Sequence, residues 1–445
     1  MSSPARGEPV LWRRIDVPAE YTAQTEVEGR PQRYGGDVRL GDLRGTGQAD
    51  FLVYRSVDDA HDGGGMKPCF LAAFTAAGQP LWAVGDGGVQ PSRPGPVAVA
   101  DLDGDGHDEV LCFFLDPATS ASPDSLANVV LQIRDGATGE VVRQAAPEAL
   151  RACRGQGPNW VHQRLLLADF QGHGAPRDFA VKLGARVLAF GPDLELLWAH
   201  ESPWTEYSHC PAYIPAVGDI DDDGRDELLG GYYLIDHDGA VLWEKPLARH
   251  MDSVAIVPFD DGRVRAVCSG FGHVLDAAGE VVLCLGEERV PHGQEVRVAR
   301  FDAASEHPQM VLRHQGHTPA VLIVDGAGRE LRRLELNATR NNTGMEPVFW
   351  DGPHEPARLC NGGVLWEPLA GRGAALPGLP EPQGEGRMAW YHCIAADVCG
   401  DSREEVVLYD PWSTHIYVYT PQPLDESAFA GYRGGPRQYN ARLMD

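Results

Sequence analysis

The sequence predicts an all-β chain folded as a single β-propeller of eight four-stranded antiparallel blades. Three observations predict it. A strand–turn–strand unit recurs from end to end of the 445 residues. A second hairpin follows most copies of that unit. The chain carries 52 Gly and 34 Pro, which suits short strands and tight turns better than long helices.

The unit is clearest in VRLGDLRGTGQADFLVYR from Val38, VAVADLDGDGHDEVLCFF from Val97, LLLADFQGHGAPRDFAVK from Leu165, IPAVGDIDDDGRDELLGG from Ile214 and CIAADVCGDSREEVVLYD from Cys393. Each is an apolar strand, an Asp, a Gly/Asp turn and a second apolar strand. Weaker copies start at Val254, Val296 and Pro347. The marker aspartates Asp42, Asp101, Asp169, Asp219 and Asp397 fall at intervals of blade length, about 45 residues or somewhat more. The second hairpins include LQIRDGATGEVVRQ from Leu131, LIDHDGAVLWE from Leu234 and LIVDGAGRELRRL from Leu322, whose Asp-Gly and Ala-Gly pairs are hairpin turn chemistry. Two hairpins make a blade.

The expected blades run 34–85, 94–146, 160–200, 209–247, 250–286, 292–337, 341–370 and 388–445, with one domain over 1–445. Seven blades result if the copy at Pro347 belongs to its neighbour. The Gly/Pro-rich stretch 370–386 is expected as an inter-blade loop. A solenoid or a pair of sandwiches fits the long, uniform, hairpin-rich repeat less well.

The formal net charge of −26 repels phosphate backbones and anionic lipid, so neither nucleic acid nor membrane is an expected partner. No stretch has the length and apolarity of a membrane span, and residues 1–14 lack a signal-peptide apolar run. The nine cysteines form no CxxC pair and read as reduced, small apolar residues. A cytoplasmic location is the expectation, and no organic cofactor is implied.

Two turns carry alternating carboxylates. Asp101, Asp103 and Asp105 with the His107 carbonyl and Glu109, and Asp219, Asp221 and Asp223 with the Arg225 carbonyl and Glu227, place oxygen donors at positions 1, 3, 5, 7 and 9 of a short loop. Such loops suit calcium in a structural role. They read equally as turn formers whose side chains bond backbone amides. In other copies Arg44, Thr46, Gln171, His173 and Cys399 stand where ligands would be. These turns resemble the FG-GAP or VCBS repeats of integrin-type propellers.

Residues just ahead of each innermost strand converge on one mouth of a propeller. Here those addresses hold Arg33 and Tyr34, Arg93, His162, His209, His250, His292, Asn341 and Asn342, then Trp390 and His392. Four consecutive blades thus present a histidine at one structural address. One such histidine is usually structural; four in register point to a site, because imidazole moves protons near neutral pH. Gln294, Asp252 and Tyr213 lie close enough in sequence to assist. No Gly-rich phosphate loop, HExxH or GxSxG is present.

The stretches from Ser208 (SHCPAYIPAVGDIDDDGRDELLGGYYLIDHDGAVLWE), Arg249 (RHMDSVAI), Pro291 (PHGQEVRVARF) and Pro436 (PRQYNARLMD) resemble the rhamnogalacturonan-lyase-like propellers. That group includes rhamnogalacturonan, ulvan and rhamnose–glucuronate lyases. The resemblance covers most of the chain from about Tyr34. It implies β-elimination at a uronic acid joined to rhamnose, with carbohydrate as the partner. It makes His250 and His292 the candidates for base and acid, with Tyr213 beside them. Arg33 and Arg93 become candidates for clamping the uronate carboxylate. Tyr34, His162, His209, Gln294, Asn342 and His392 would line the sugar site. Glu295 departs from the pattern, standing where a second histidine is expected after Gln294. Two other readings stay open: a rhamnosidase-like glycoside hydrolase, and a propeller that binds a glycan or a protein without turnover.

Overall fold

The structure, a computed structural model, describes residues 7–57, 67–90, 94–116, 125–155, 160–386, 389–422, 430–435 and 439–440. Eight four-stranded antiparallel sheets account for nearly all of its regular structure, and helix is sparse among the described residues, as in Glu148–Arg151 and two 3-10 turns. The innermost strands are Asp37–Gly41, Val97–Ala100, Leu165–Ala168, Ala216–Gly218, Val254–Pro258, Glu295–Ala299, Met345–Val348 and His392–Ala396. They define blades one to eight. Among the described residues no helix is long and apolar enough to cross a membrane, and all nine cysteines are free thiols.

Blade three shows why these residues make these strands. Leu165–Ala168, Asp178–Leu183 and Arg186–Phe190 are almost wholly buried, whereas the outermost strand, Leu196–Glu201, buries only Trp198. Burial on both faces gives near-continuous apolar runs, and the solvent edge gives alternation. The core lies between neighbouring blades. One cluster joins blades one and two through Leu52, Leu71 and Val97; others join each successive pair, ending with Val407 and Ile416 of blade eight against Val38 and Phe51 of blade one.

A tryptophan on several outer strands fastens one blade to the next. Trp82, Trp198 and Trp243 each lie over the hairpin turn of the following blade, with their indole faces on Gly139, Gly239 and Gly279. The Trp82 and Trp198 N–H groups donate to the carbonyls of Gly136 and His237. Gly239 has φ +90°, and a Cβ there would stand 2.7 Å from Trp198. Glycine is thus required twice over at that turn.

The marker aspartates build the other turns. Asp42, Asp101, Asp169, Asp219 and Asp397 all accept backbone N–H bonds from residues three to five positions ahead. The acidic pair on the second strand completes them. Glu109 and Glu227 accept from Leu102 and Ile220 of their own turns, while Asp108 and Asp226 accept from Asp42 and Asp169 of the preceding blade. The repeat is therefore legible because its polar residues knit turn to turn.

The ring closes in a way the repeat spacing does not reveal. The outermost strand of blade eight is Pro9–Asp16, paired antiparallel with His415–Pro421, so the last blade is not contained within 388–445. The stretch 370–386 is not all loop either: Arg372–Ala375 is the outer strand of blade seven. Residues of the C-terminal segment sit against the inner strands. Tyr439 donates to the Val97 carbonyl, and the Asn440 carboxamide pairs with the backbone of Leu167. Tyr432 and Tyr439 border an inner cavity of about 150 Å³ with Arg39, His392 and Tyr409.

Beside that cavity lies a buried polar knot. The Asp37 carboxylate accepts from Arg39 (2.9 Å), Tyr54 (2.5 Å) and Tyr409 (2.6 Å), and Arg39 also donates to the Val97 carbonyl. Blades eight, one and two meet there. Burial alone would raise the Asp37 pKa, but the Arg39 charge and the two tyrosine hydroxyls hold it below the ordinary value.

Candidate active site

Each inner strand is entered through a short irregular segment, and these segments gather the predicted histidines. Backbone bonds fix the key ones. The Met251 N–H donates to the Cys210 carbonyl, tying the entry of blade five to that of blade four. Gln294 N–H donates to Arg313 and Gly316 N–H to His292, which fixes the entry of blade six. Gly293 passes so close to Ser269 that a Cβ would stand 1.8 Å from its carbonyl oxygen. Only glycine lets His292 come this near the neighbouring blade.

The result is one compact cluster. His250 Nε2 and His292 Nε2 are 2.9 Å apart, with their rings perpendicular. Both nitrogens also reach Asp252 Oδ2, at 3.1 and 3.2 Å. Gln294 Nε2 donates to the other carboxylate oxygen at 3.1 Å. Asp252 is buried, and His292 is the open member, its side chain 38% exposed. Burial would raise the Asp252 pKa, but the hydrogen bonds and positive charge of the two histidines hold it low. In the Nε2–Nε2 contact one ring donates and the other accepts, so only the donating nitrogen can at that moment also hydrogen-bond Asp252.

Tyrosines wall this cluster. Tyr213 donates to the Tyr207 hydroxyl at 2.9 Å, and the Tyr207 ring lies 5.1 Å from that of His250. His162 packs on Tyr213 at 4.9 Å. Burial first, then the Asp252 charge, pushes the Tyr213 pKa up. Tyr213 therefore stays protonated, able to donate but poorly placed to act as a base. Tyr207 escapes the sequence reading: it stands only two residues before His209, but nothing in its type or spacing marks it.

The other predicted residues divide. His209 is exposed, with its Nδ1 3.2 Å from the Ser208 hydroxyl. Tyr34 is buried and donates to the Gly88 carbonyl. His392 is stacked between Trp390 and Tyr409 on the far blade. Asn342 donates to the His317 carbonyl. Arg33 is not brought to the histidines: it lies on an added hairpin, Ala23–Val27 with Arg30–Tyr34, and binds the Thr22 hydroxyl and Ala19 carbonyl. Arg93 lies outside the described residues. Glu295 is fully buried, accepting from Met345 N–H and pairing with Arg297, so it serves the core.

The carboxylate loops converge only in part. Asp101, Asp103 and Glu109 bring ligand atoms within 4.8 Å of one another, as do Asp219, Asp221 and Glu227. Asp105 instead accepts from the His107 N–H. Asp223 accepts from the Arg225 N–H and groups with Glu227 and His237.

No protein-family model matches the chain. Two curated proteins of Bacillus subtilis (strain 168) do. Rhamnogalacturonan exolyase YesX is 26% identical over 294 residues, 57% of this chain and 47% of its own length. Rhamnogalacturonan endolyase YesW is 24% identical over 308 residues, 58% of this chain and 48% of its own length. The chain thus spans about half the length of the curated relatives it matches. Among solved structures, rhamnogalacturonan lyase PL11 of Bacillus licheniformis superposes with TM-score 0.68 at 20% identity, over 93% of this chain and 76% of that one. The curated matches are thus to rhamnogalacturonan lyases, the group the sequence resembles, and the solved structure shares the propeller fold.

Proposed function

We propose that this rhamnogalacturonan-lyase-like propeller cleaves a uronate- and rhamnose-containing glycan by β-elimination at the mouth formed by blades three to six. The observation that carries this reading is the contact of two histidines over one buried carboxylate. One imidazole takes the C5 proton of the uronate. The electron pair forms the C4–C5 double bond as the C4–O bond breaks. The other, protonated ring gives its proton to the departing oxygen. Asp252 stabilises whichever ring is charged, and the Nε2–Nε2 contact lets a proton cross back to reset the pair. Tyr213, Tyr207, His162 and His209 supply stacking and hydrogen bonds for the sugar.

The test is ultraviolet absorbance during incubation with rhamnose–uronate oligosaccharides from pectin, ulvan and gum arabic. Absorbance from a conjugated unsaturated uronate is the expected result. Saturated sugars detected by mass spectrometry with a flat trace would replace the lyase by a hydrolase. Tight binding of the same oligosaccharides without any product would leave a binding propeller.

We also propose structural calcium at the loops of Asp101, Asp103 and Glu109 and of Asp219, Asp221 and Glu227. Their donors fit a hard cation. Glu227 is fully buried, and its Oε1 has no hydrogen-bond partner among the described residues. Burial and the surrounding aspartates push Glu227 up to about 8, and Glu109 is likewise pushed up to about 7. Between the ordinary value of 4.5 and these raised values the folded state holds more protons than the unfolded one. These groups therefore make stability fall as pH rises through that window. Calcium-free protein should melt at lower temperature at pH 8 than at pH 5.5, and calcium should remove much of that difference. At a hundredfold over Kd, one site adds about 2.7 kcal/mol. A calcium-independent melting curve across this range would rule the sites out.

A further inference from the structure

We propose that His250, Asp252 and His292 also form a binding site for a zinc-class divalent ion, whose occupancy switches off proton transfer. The second clause rests on the lyase reading above; the first does not. The three donor atoms His250 Nε2, His292 Nε2 and Asp252 Oδ2 stand 2.9, 3.1 and 3.2 Å apart. Neighbouring ligands of a tetrahedral zinc, bound at about 2.0–2.1 Å, stand about 3.3 Å apart. A point about 1 Å off the plane of the three atoms lies within bonding distance of all of them.

The donor types set the ion class. Two imidazole nitrogens and one carboxylate suit zinc, cobalt or nickel, whereas the all-oxygen loops suit calcium. The cluster carries a built outer layer as well. Gln294 holds the second Asp252 oxygen at 3.1 Å, and Tyr207 and Tyr213 pack on the His250 ring. Such outer partners orient metal ligands. The partly exposed His292 leaves the fourth position open to water or to a sugar oxygen.

Binding and elimination compete for the same atoms. A coordinated imidazole nitrogen has given its lone pair to the metal, and any proton on that nitrogen must leave on binding. Neither ring can then take the uronate proton or deliver one to the leaving oxygen.

The experiment titrates cobalt(II) into the full chain after chelator treatment, with calcium present to fill the loops. The visible bands of tetrahedral cobalt should appear at one equivalent and disappear on adding zinc. In His250→Ala, His292→Ala and Asp252→Ala the bands should be lost. In Gln294→Ala cobalt affinity should fall about 10- to 100-fold. Circular dichroism confirms that each variant is folded. Absent bands in the wild type, or bands that persist in both histidine variants, would overturn the site. In parallel, zinc at low excess should stop formation of unsaturated product, and chelator should restore it. Undiminished turnover at zinc saturation would overturn the switch. If cobalt binds as expected but metal-free protein makes no unsaturated product from any oligosaccharide tested, the lyase reading fails and the metal site stands.

Discussion

Replacing His292 with alanine is expected to lower formation of unsaturated uronate by about 10²- to 10⁴-fold, the range in which a positioned acid or base acts. His250→Ala should match it. The double variant should be little worse than either single one, because the two rings serve one elimination over one carboxylate and act as a unit. The loss should fall on kcat, since both rings act on bonds that change in the transition state. Some loss of melting temperature is expected, because the buried Asp252 loses a partner, so circular dichroism must show each variant folded before the turnover is compared. A His292→Ala variant within threefold of wild-type turnover would remove the pair from the chemistry.

Asp37→Ala should be the most damaging single substitution to stability. It strands the Arg39 guanidinium, buried with 6% of its side chain exposed, and leaves the hydroxyls of Tyr54 and Tyr409 without their acceptor. Breaking a buried pair by removing one partner costs about 3–5 kcal/mol. Removing both charges together, as Asp37→Leu with Arg39→Met, should recover part of that loss, because no uncompensated charge remains. The Asp37 pKa is lowered in the folded state, so its contribution is complete above the ordinary value of 3.8 and disappears as pH falls past the folded value. Denaturant unfolding at pH 7 measures both variants. A cost below 1 kcal/mol for Asp37→Ala would show that water or a neighbour replaces the carboxylate.

The repeat was legible because its polar residues do the same job in each strong copy. Asp42, Asp101, Asp169, Asp219 and Asp397 all fold their turns through backbone amides, so the spacing survives where the apolar residues vary. Arg372–Ala375 was hidden because an outer strand of sequence RGAA buries nothing and so carries no alternation. The histidine address was legible for a topological reason: equal distances ahead of equal strands must lead to one mouth. Side-chain direction was not. Arg33 follows the same count as His250, but a local hairpin turns it toward Ala19. Tyr207 joins the site because its ring reaches His250, a contact no spacing rule contains. Asp252 stands among the nearby residues in sequence; its place between the histidines appears only in three dimensions.

The pairing of Pro9–Asp16 with His415–Pro421 also bears on how the molecule is made. Its two partners lie about 400 residues apart in the chain. At a synthesis rate of about 5–20 residues per second, the first partner waits roughly 20–80 s for the second. Blades one to seven can assemble in turn as they emerge, each covering the face of the one before. Through that interval Ile15 and the flank of blade one, with Val38 and Phe51, have no lasting partner. The last blade can therefore seal only after both of its distant strands have been made, and until then this apolar edge lacks its partner strand.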